Sequence, residues 1–345
     1  MVRVCIVGCG RIAQVRHIPE YLDNPDAKIA GYFDLNQERA DELAKKYGGK
    51  AYTDFPQMLK DPEIDAISVC TANNMHAKAS IAALLAGKHV LCEKPMAMSL
   101  EDCQAMAKAA KDSGKILMID HNQRFTKAHR KAKALLDAGE IGKILTFRTM
   151  FGHGGPETWS IDPGKATWFF SKEKAVFGAM ADLGIHKTDI ISYLTGSEVA
   201  KVSAVMGTLD KVDAGGNKIG VDDNVLCIYT MKNGVIGTMT ASWTNYGKED
   251  NSTTLYGTKG VMKIYYDGMP SIVIDYRDGT RATFDMEPIQ TNDHQSKTGV
   301  IDDFIDCIKT GRQPETGADS ALSAMRAIFA AKRSAEEGKE IETGN

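Results

Sequence analysis

The sequence predicts an α/β domain built on a parallel sheet, followed by an α+β domain on a large, mostly antiparallel open sheet. Three observations carry that expectation. The chain has 345 residues, enough for about two domains. Its first ~120 residues alternate short apolar runs with helix-spaced patterns, as βαβ units do. After Gly139 the texture changes to runs rich in Thr, Val, Tyr and Gly, punctuated by Asn233-Gly234, Asp267-Gly268 and Asp278-Gly279, which are hairpin turn pairs.

Taken in order, strands are expected at Val2–Val7, Lys28–Asp34, Lys50–Thr53, Ala66–Thr71, His89–Glu93 and Ile116–His121. Runs such as Ala66-Ile67-Ser68-Val69-Cys70 are apolar without alternation, as in strands covered on both faces. Helical spacing falls between them at Ala13–Leu22, Gln37–Tyr47, Ala77–Ala86 and Leu100–Ser113, the last with Ser99 and Asp102 in N-cap spacing. Thr126–Ala138 reads as a helix ended by Gly139, and Met180–Leu194 as one ended by Gly196. Val225–Met231 and Val235–Trp243 read as a hairpin. Thr298–Lys309 and Asp319–Glu337 read as closing helices, free to pack back on the first domain. The domains are expected at residues 1–123 and 124–345, with the chemistry in a cleft between them.

Hydrophobic residues make up 43% and charged residues 25%, ordinary for a soluble globular chain. A net charge of −3 offers no basic field to nucleic acid or anionic lipid. No apolar stretch approaches the roughly 20 residues that span a bilayer, and Met1–Gly8 reads as a first strand rather than a signal peptide. The seven cysteines are odd in number and form no CxxC pair, which argues against a zinc ribbon or a disulfide framework. They are expected as small buried thiols in a reducing compartment, the cytoplasm.

Gly8-Cys9-Gly10-Arg11-Ile12-Ala13 follows the first strand and opens a helix, matching G-x-G-x-x-A. The first glycine permits the tight turn, the second admits a pyrophosphate to the backbone, and the helix N-terminus offers free N–H groups and a positive dipole end. That is a Rossmann dinucleotide fingerprint. Asp34 closes the second strand 24 residues after Gly10, where an acidic group meets the adenosine ribose. Its charge would repel a 2′-phosphate, so NAD is expected over NADP, although Arg39 stands nearby. The plainer alternative for Asp34 is a cap on the helix that begins near Asn36.

Two further segments carry chemistry. Cys92-Glu93-Lys94-Pro95 ends the fifth strand, at the sheet edge where such folds bind ligands. Asp182-Leu183-Gly184-Ile185-His186-Lys187-Thr188-Asp189 spaces Asp182, His186 and Asp189 onto one face of a helix. A carboxylate beside an imidazole orients the ring and steadies the imidazolium formed when it takes a proton from a hydroxyl being oxidised. Lys94 would lend positive charge to the developing alkoxide. A metal held by His186, Asp182 and Asp189 is not expected, because hydride transfer to NAD requires none.

With the Thr71-Ala72-Asn73-Asn74-Met75-His76 loop, these motifs resemble the glucose–fructose oxidoreductase/inositol dehydrogenase family (Gfo/Idh/MocA), from Val2 to about Arg333. The resemblance implies an NAD-dependent oxidoreductase of a sugar, glycoside or cyclic polyol, with Lys94, Asp182 and His186 catalytic. It implies cofactor contacts from Gly8, Gly10, Arg11, Ile12, Asp34, Thr71, Ala72, Asn73, His76, Glu93, Lys94 and Trp168. Substrate contacts are expected from Lys94, Asp182, His186 and Asp189, from Arg124 at the domain junction, and from Trp159, whose ring suits the C–H face of a sugar or simply the core. The chain departs from the family pattern at Ala72, where relatives often have proline, which is expected to loosen that turn. It departs again at Phe169, where relatives often carry arginine after the tryptophan, leaving an aromatic wall.

Two other functions stay open on sequence alone. One is redox-neutral glycoside cleavage through transient C3 oxidation and elimination. The other is a non-catalytic sugar or NAD sensor, against which the intact Lys94, Asp182 and His186 speak. A homodimer or homotetramer is expected, formed through apolar groups on the second domain's sheet, on runs such as Ile228–Met231 and Thr238–Ala241.

Overall fold

Six short apolar segments pair into one parallel sheet: β1 Val2–Val7, β2 Ala27–Phe33, β3 Lys50–Tyr52, β4 Ala66–Val69, β5 His89–Cys92 and β6 Leu117–Ile119. The computed structural model describes residues 1–288 and 297–344 and divides the chain into two units. The first takes residues 1–121 and 297–322, the second residues 122–288 and 323–344. In the first unit the strand order is β3-β2-β1-β4-β5-β6, so the sequence order reverses between β1 and β4, where doubly wound sheets bind ligands. Every residue of β4 is buried, as its unbroken apolar run predicts.

The helices of this unit are α1 Ile18–Asp23, α2 Gln37–Tyr47, α3 Phe55–Leu59, α4 Asn73–Leu85 and α5 Leu100–Ser113. Helices α2 and α5 have the expected bounds. Asn36 caps α2 by accepting from the Glu38 N–H, and Ser99 caps α5 by accepting from the Asp102 N–H. Helix α3 was not anticipated; it is one turn capped by Asp54, too short to show a period. Helix α4 begins at Asn73, four residues before the expected Ala77. The helix after the glycine loop is not uniform: a π-turn, Ala13–His17, leads into α1.

The second unit is built on α6 Lys127–Asp137, β7 Ile144–Gly152, α7 Lys172–Ala175, α8 Ile185–Thr195, β8 Val199–Gly207, β9 Asn224–Met231, β10 Ile236–Ser242, β11 Thr253–Gly257, β12 Gly260–Ile264, β13 Ile272–Tyr276 and β14 Arg281–Phe284. Helix α9 Val300–Thr310 returns to the first unit and packs on α1 and β1. Helix α10 Ala318–Glu337 begins in the first unit and ends in the second, and β15 Ile341–Glu342 adds a final short strand. The sheet order is β14-β13-β12-β11-β7-β10-β9-β8-β15, antiparallel apart from the parallel pair β7 and β10.

Strands β9 and β10 form the expected hairpin around Asn233-Gly234, where Gly234 holds φ 85°. Along β9 the side chains alternate: Val225, Cys227, Tyr229 and Met231 are buried, while Leu226 is 56% and Ile228 58% exposed. All seven cysteines are free and buried. Among the described residues no helix is long and apolar enough to cross a membrane.

Candidate active site

At the end of β1, Gly8 holds φ +91°, and a Cβ there would lie 2.6 Å from the Cys70 carbonyl oxygen. Only glycine lets this loop pass over the chain leaving β4. Gly10 has nothing within 4 Å of its missing Cβ, so the backbone beside it stays open. Helix N–H groups start at the exposed Arg11. An open glycine cradle at a helix N-terminus fits the pyrophosphate of a dinucleotide. Asp34 Oδ2 accepts from the Cys9 N–H at 2.6 Å and Oδ1 from the Asn36 N–H at 2.7 Å. Asp34 therefore does not cap α2, which Asn36 does; it ties the end of β2 to the glycine loop.

The loops after β4 and β5 are clamped to each other. His76 is fully buried, its Nδ1 2.7 Å from the Pro95 carbonyl and its Nε2 3.1 Å from that of Thr71. Glu93 is also buried and accepts from the Lys94 N–H at 3.1 Å. Both side chains were expected to face the cofactor, and both turn into the protein. Lys94 itself is half-buried. Ala72 sits at φ −66° and ψ 153°, a φ that a proline also adopts, so the backbone here is compatible with the residue relatives often carry.

In the second unit a π-turn, Met180–Gly184, precedes α8 and carries Asp182. Asp222, buried, anchors it by accepting from the Gly178 N–H at 2.9 Å and the Met180 N–H at 2.8 Å. Burial pushes the Asp222 carboxyl up to about 6 in spite of those donors. A Cβ on Gly184 would stand 2.5 Å from the Met180 sulfur and 3.5 Å from the Ala241 Cβ, so glycine lets the turn lie on β10. The Asp182 carboxylate accepts from the Trp243 indole N–H at 3.1 Å, and the His153 imidazole stands 3.8 Å from it. His186 follows on α8, its ring 6.1 Å from that of Phe151.

Of the three residues expected on one helical face, Asp182 stands on the π-turn, and His186 and Asp189 stand on α8. The π-turn changes the angular step between Asp182 and His186, and Asp189 is taken by Arg124 in a two-pronged pair, 2.7 Å to Nε and 2.5 Å to the other fork nitrogen. Arg124, on the 3₁₀ turn Asn122–Phe125, also lies 5.5 Å over the Tyr193 ring. The aromatic wall foreseen at Phe169 is present: Trp168 and Phe169 stack at 3.8 Å, and Trp159 meets Phe169 edge-on at 5.1 Å. Sequence reasoning gives Asp222 and Trp243 no role in the site, and reaches His153 only as part of Gly152–Trp159, a stretch that resembles a substrate-shaping loop. For the first two, only the Asp222-Asp223 doublet before a strand gave any signal.

Among the described residues, the donor atoms grouped closely enough to hold a metal are those of His17, Glu93 and Asp120. They are not the His186, Asp182 and Asp189 set weighed from sequence. Arg16 stands 3.7 Å from both carboxylates, so a cation already faces them.

A glycine cradle at the switch point of a six-stranded parallel sheet, joined to a second unit on a nine-stranded sheet, defines a dinucleotide-binding oxidoreductase of two units. The profile of the oxidoreductase family with NAD-binding Rossmann fold (Gfo/Idh/MocA) matches residues 2–121, and that of the Gfo/Idh/MocA C-terminal domain matches residues 129–263. The chain belongs to this family and is an NAD-binding oxidoreductase. It is 34% identical to levoglucosan dehydrogenase of Pseudarthrobacter phenanthrenivorans over 68% of its own length and 64% of that relative's, just under two thirds. It is 28% identical to myo-inositol 2-dehydrogenase of Thermotoga maritima over 98% of each chain. A solved levoglucosan dehydrogenase in complex with NADH and levoglucosan superposes at TM-score 0.86, 25% identical over the whole of both chains.

Proposed function

We propose that the protein oxidises a hydroxyl carbon of a sugar, glycoside or cyclic polyol. The relatives named for levoglucosan and myo-inositol support that substrate class. The observation that carries it is the setting of Asp182: a buried carboxylate on a π-turn one turn before His186, held by the Trp243 indole N–H and facing the His153 imidazole. Local π geometry of this kind recurs at functional sites.

NAD, when bound, supplies the hydride acceptor, or the donor in reverse. Residues 1–123 hold it: Gly8, Gly10, Arg11 and Ile12 take the pyrophosphate and Asp34 the ribose, favouring NAD over NADP. Thr71, Ala72 and Asn73 line the nicotinamide end, and Trp168 contributes a cofactor contact of its own. His76 and Glu93 act there by holding the loops after β4 and β5. His186 takes the hydroxyl proton, Asp182 orients the proton transfer, and Lys94 lends positive charge to the forming alkoxide. Within residues 124–345, Arg124 and Asp189 brace each other as the polar wall of the substrate site, and Trp159 offers its ring to the sugar. The exposed sheet face around Leu226 and Ile228 joins two or four copies, and the enzyme works in the cytoplasm.

The test is a panel of cyclitols, free sugars and glycosides against NAD and NADP, followed by the absorbance of the reduced cofactor. Net NADH with at least one compound is expected. Aglycone release without net NADH would replace this reading by redox-neutral cleavage, and silence across the panel would remove the substrate class.

A further inference from the structure

Four ionisable side chains meet beneath the Glu93-Lys94-Pro95 turn with almost no exposure: Arg16 at 7%, His17 at 0%, Glu93 at 5% and Asp120 at 0%. His17 comes from the π-turn before α1, Glu93 from the end of β5 and Asp120 from the end of β6. His17 Nε2 lies 3.1 Å from Glu93 Oε1 and 3.2 Å from Asp120 Oδ2. Its Nδ1 lies 2.8 Å from the Ser68 hydroxyl, which also accepts from the Tyr21 hydroxyl at 3.3 Å.

The charges decide the state of the ring. The Glu93 and Asp120 carboxyls face the Arg16 guanidinium, the buried Glu20 carboxyl also lies close to Arg16 and His17, and a buried charge left unpaired is strongly unfavourable. A doubly protonated His17 would add positive charge there and donate from both nitrogens, to the carboxyls and to Ser68. Burial alone would discharge the ring, but the Glu93 and Asp120 oxygens at 3.1 and 3.2 Å from Nε2 pull its pKa upward. Burial also pushes the Cys70 thiol up, which leaves it uncharged beside the ring. Burial works against Glu93 as well, yet His17, Arg16 and Lys94 keep its carboxyl well below the usual range.

The remaining Glu93 oxygen accepts from the Lys94 backbone N–H at 3.1 Å. We propose that His17 is a positioning residue for Lys94: it fixes the Glu93 carboxylate, which in turn fixes the backbone from which the lysine side chain leaves. The proposal rests on the catalytic reading of Lys94. Misplacing a reacting group by about 1 Å costs on the order of 100-fold in rate, so loosening this relay is read in kcat.

The test uses the full chain with NAD and a substrate chosen by the panel. His17→Ala removes the ring; His17→Gln keeps one N–H donor without charge and serves if the alanine variant does not fold. The expected result is a kcat loss of at least ~10-fold for His17→Ala and ~3-fold for His17→Gln, with the NAD Kd within ~3-fold of the parent. Hydrogen exchange at the Lys94 amide should quicken in both. A merely structural role would lower the melting temperature and leave kcat of the folded protein unmoved. Both variants keeping the parent kcat and Lys94 amide exchange would overturn the proposal. So would one equivalent of bound metal in purified protein whose chelation abolishes turnover. Lys94→Ala, run alongside, separates the two readings. Normal turnover there sinks the catalytic role of Lys94 and this proposal with it, whereas a dead Lys94→Ala beside unaffected His17 variants sinks the positioning alone.

Discussion

The indole N–H of Trp243 donates to the Asp182 carboxylate at 3.1 Å, and both side chains are buried. The Trp243 backbone N–H in turn donates to the Asp223 carbonyl at 2.8 Å, beside the Asp222 that anchors the π-turn. One short segment thus sets both the position of Asp182 and the donor that orients it.

Trp243→Phe should keep the aromatic packing and lose that donor. A hydrogen bond to a charged group contributes about 1.5–3 kcal/mol, so kcat should fall by roughly 10–100-fold with NAD affinity unchanged. Steady-state kinetics and a cofactor titration check this. A kcat within twofold of the parent would show that His153 and the turn suffice to orient Asp182.

Asp34→Ala should weaken NAD binding by about 10–100-fold and relax the preference over NADP, the loss of a charge-assisted hydrogen bond to the ribose. Titration of both cofactors decides it. If the two affinities fall together and their ratio stays fixed, Asp34 only braces the glycine loop through Cys9 and Asn36.

Lys187 is fully buried and donates to the Asn251 carbonyl at 2.8 Å. Burial brings its pKa from 10.5 down to about 7, against the pull of Asp250 and Glu249. The unfolded chain keeps that proton up to the higher pH and the folded chain does not. Stability is therefore lost as pH falls from 10.5 toward 7, by at most about 5 kcal/mol. Lys187→Met removes this burden and forfeits one hydrogen bond of about 1 kcal/mol. Its melting temperature should exceed the parent's at pH 7, and the gain should vanish by about pH 10. A gain that does not change with pH would assign the effect to packing.

The outer sheet face presents Leu226 at 56%, Ile228 at 58%, Ile236 at 53% and Val205 at 71% exposure. Sedimentation at micromolar concentration should show a dimer or tetramer, and Ile228→Arg should shift it to monomer, since an unpaired guanidinium in an interface is strongly unfavourable. A monomeric parent would contradict the assembly.

What was legible in the sequence follows from the range of the interactions. Helices α2 and α5 show a sustained period bounded by a cap and a glycine, and β1 is an apolar run ended by Gly8, so their ends are legible in the sequence. Two π-turns were read as α-helix, because five residues do not distinguish their period from 3.6. The glycine cradle and the family were legible because their spacing is local. The partners of Asp182 and Asp189 were not, lying 61 and 65 residues away on other elements. His17 sat inside a predicted helix without remark, since its meaning comes from Glu93 and Asp120 on two separate strand ends.

The central claim, that His186 takes the proton as the hydroxyl is oxidised, is tested most directly by the pH dependence of the oxidation rate at saturating NAD and substrate. The parent rate should rise with pH through a single ionisation to a plateau, the unprotonated form being active. His186→Ala should be slower by about 10²–10⁴-fold and flat across the same range. A His186→Ala enzyme that kept the parent's rate and profile would contradict the account and assign proton transfer to another group, Lys94 first.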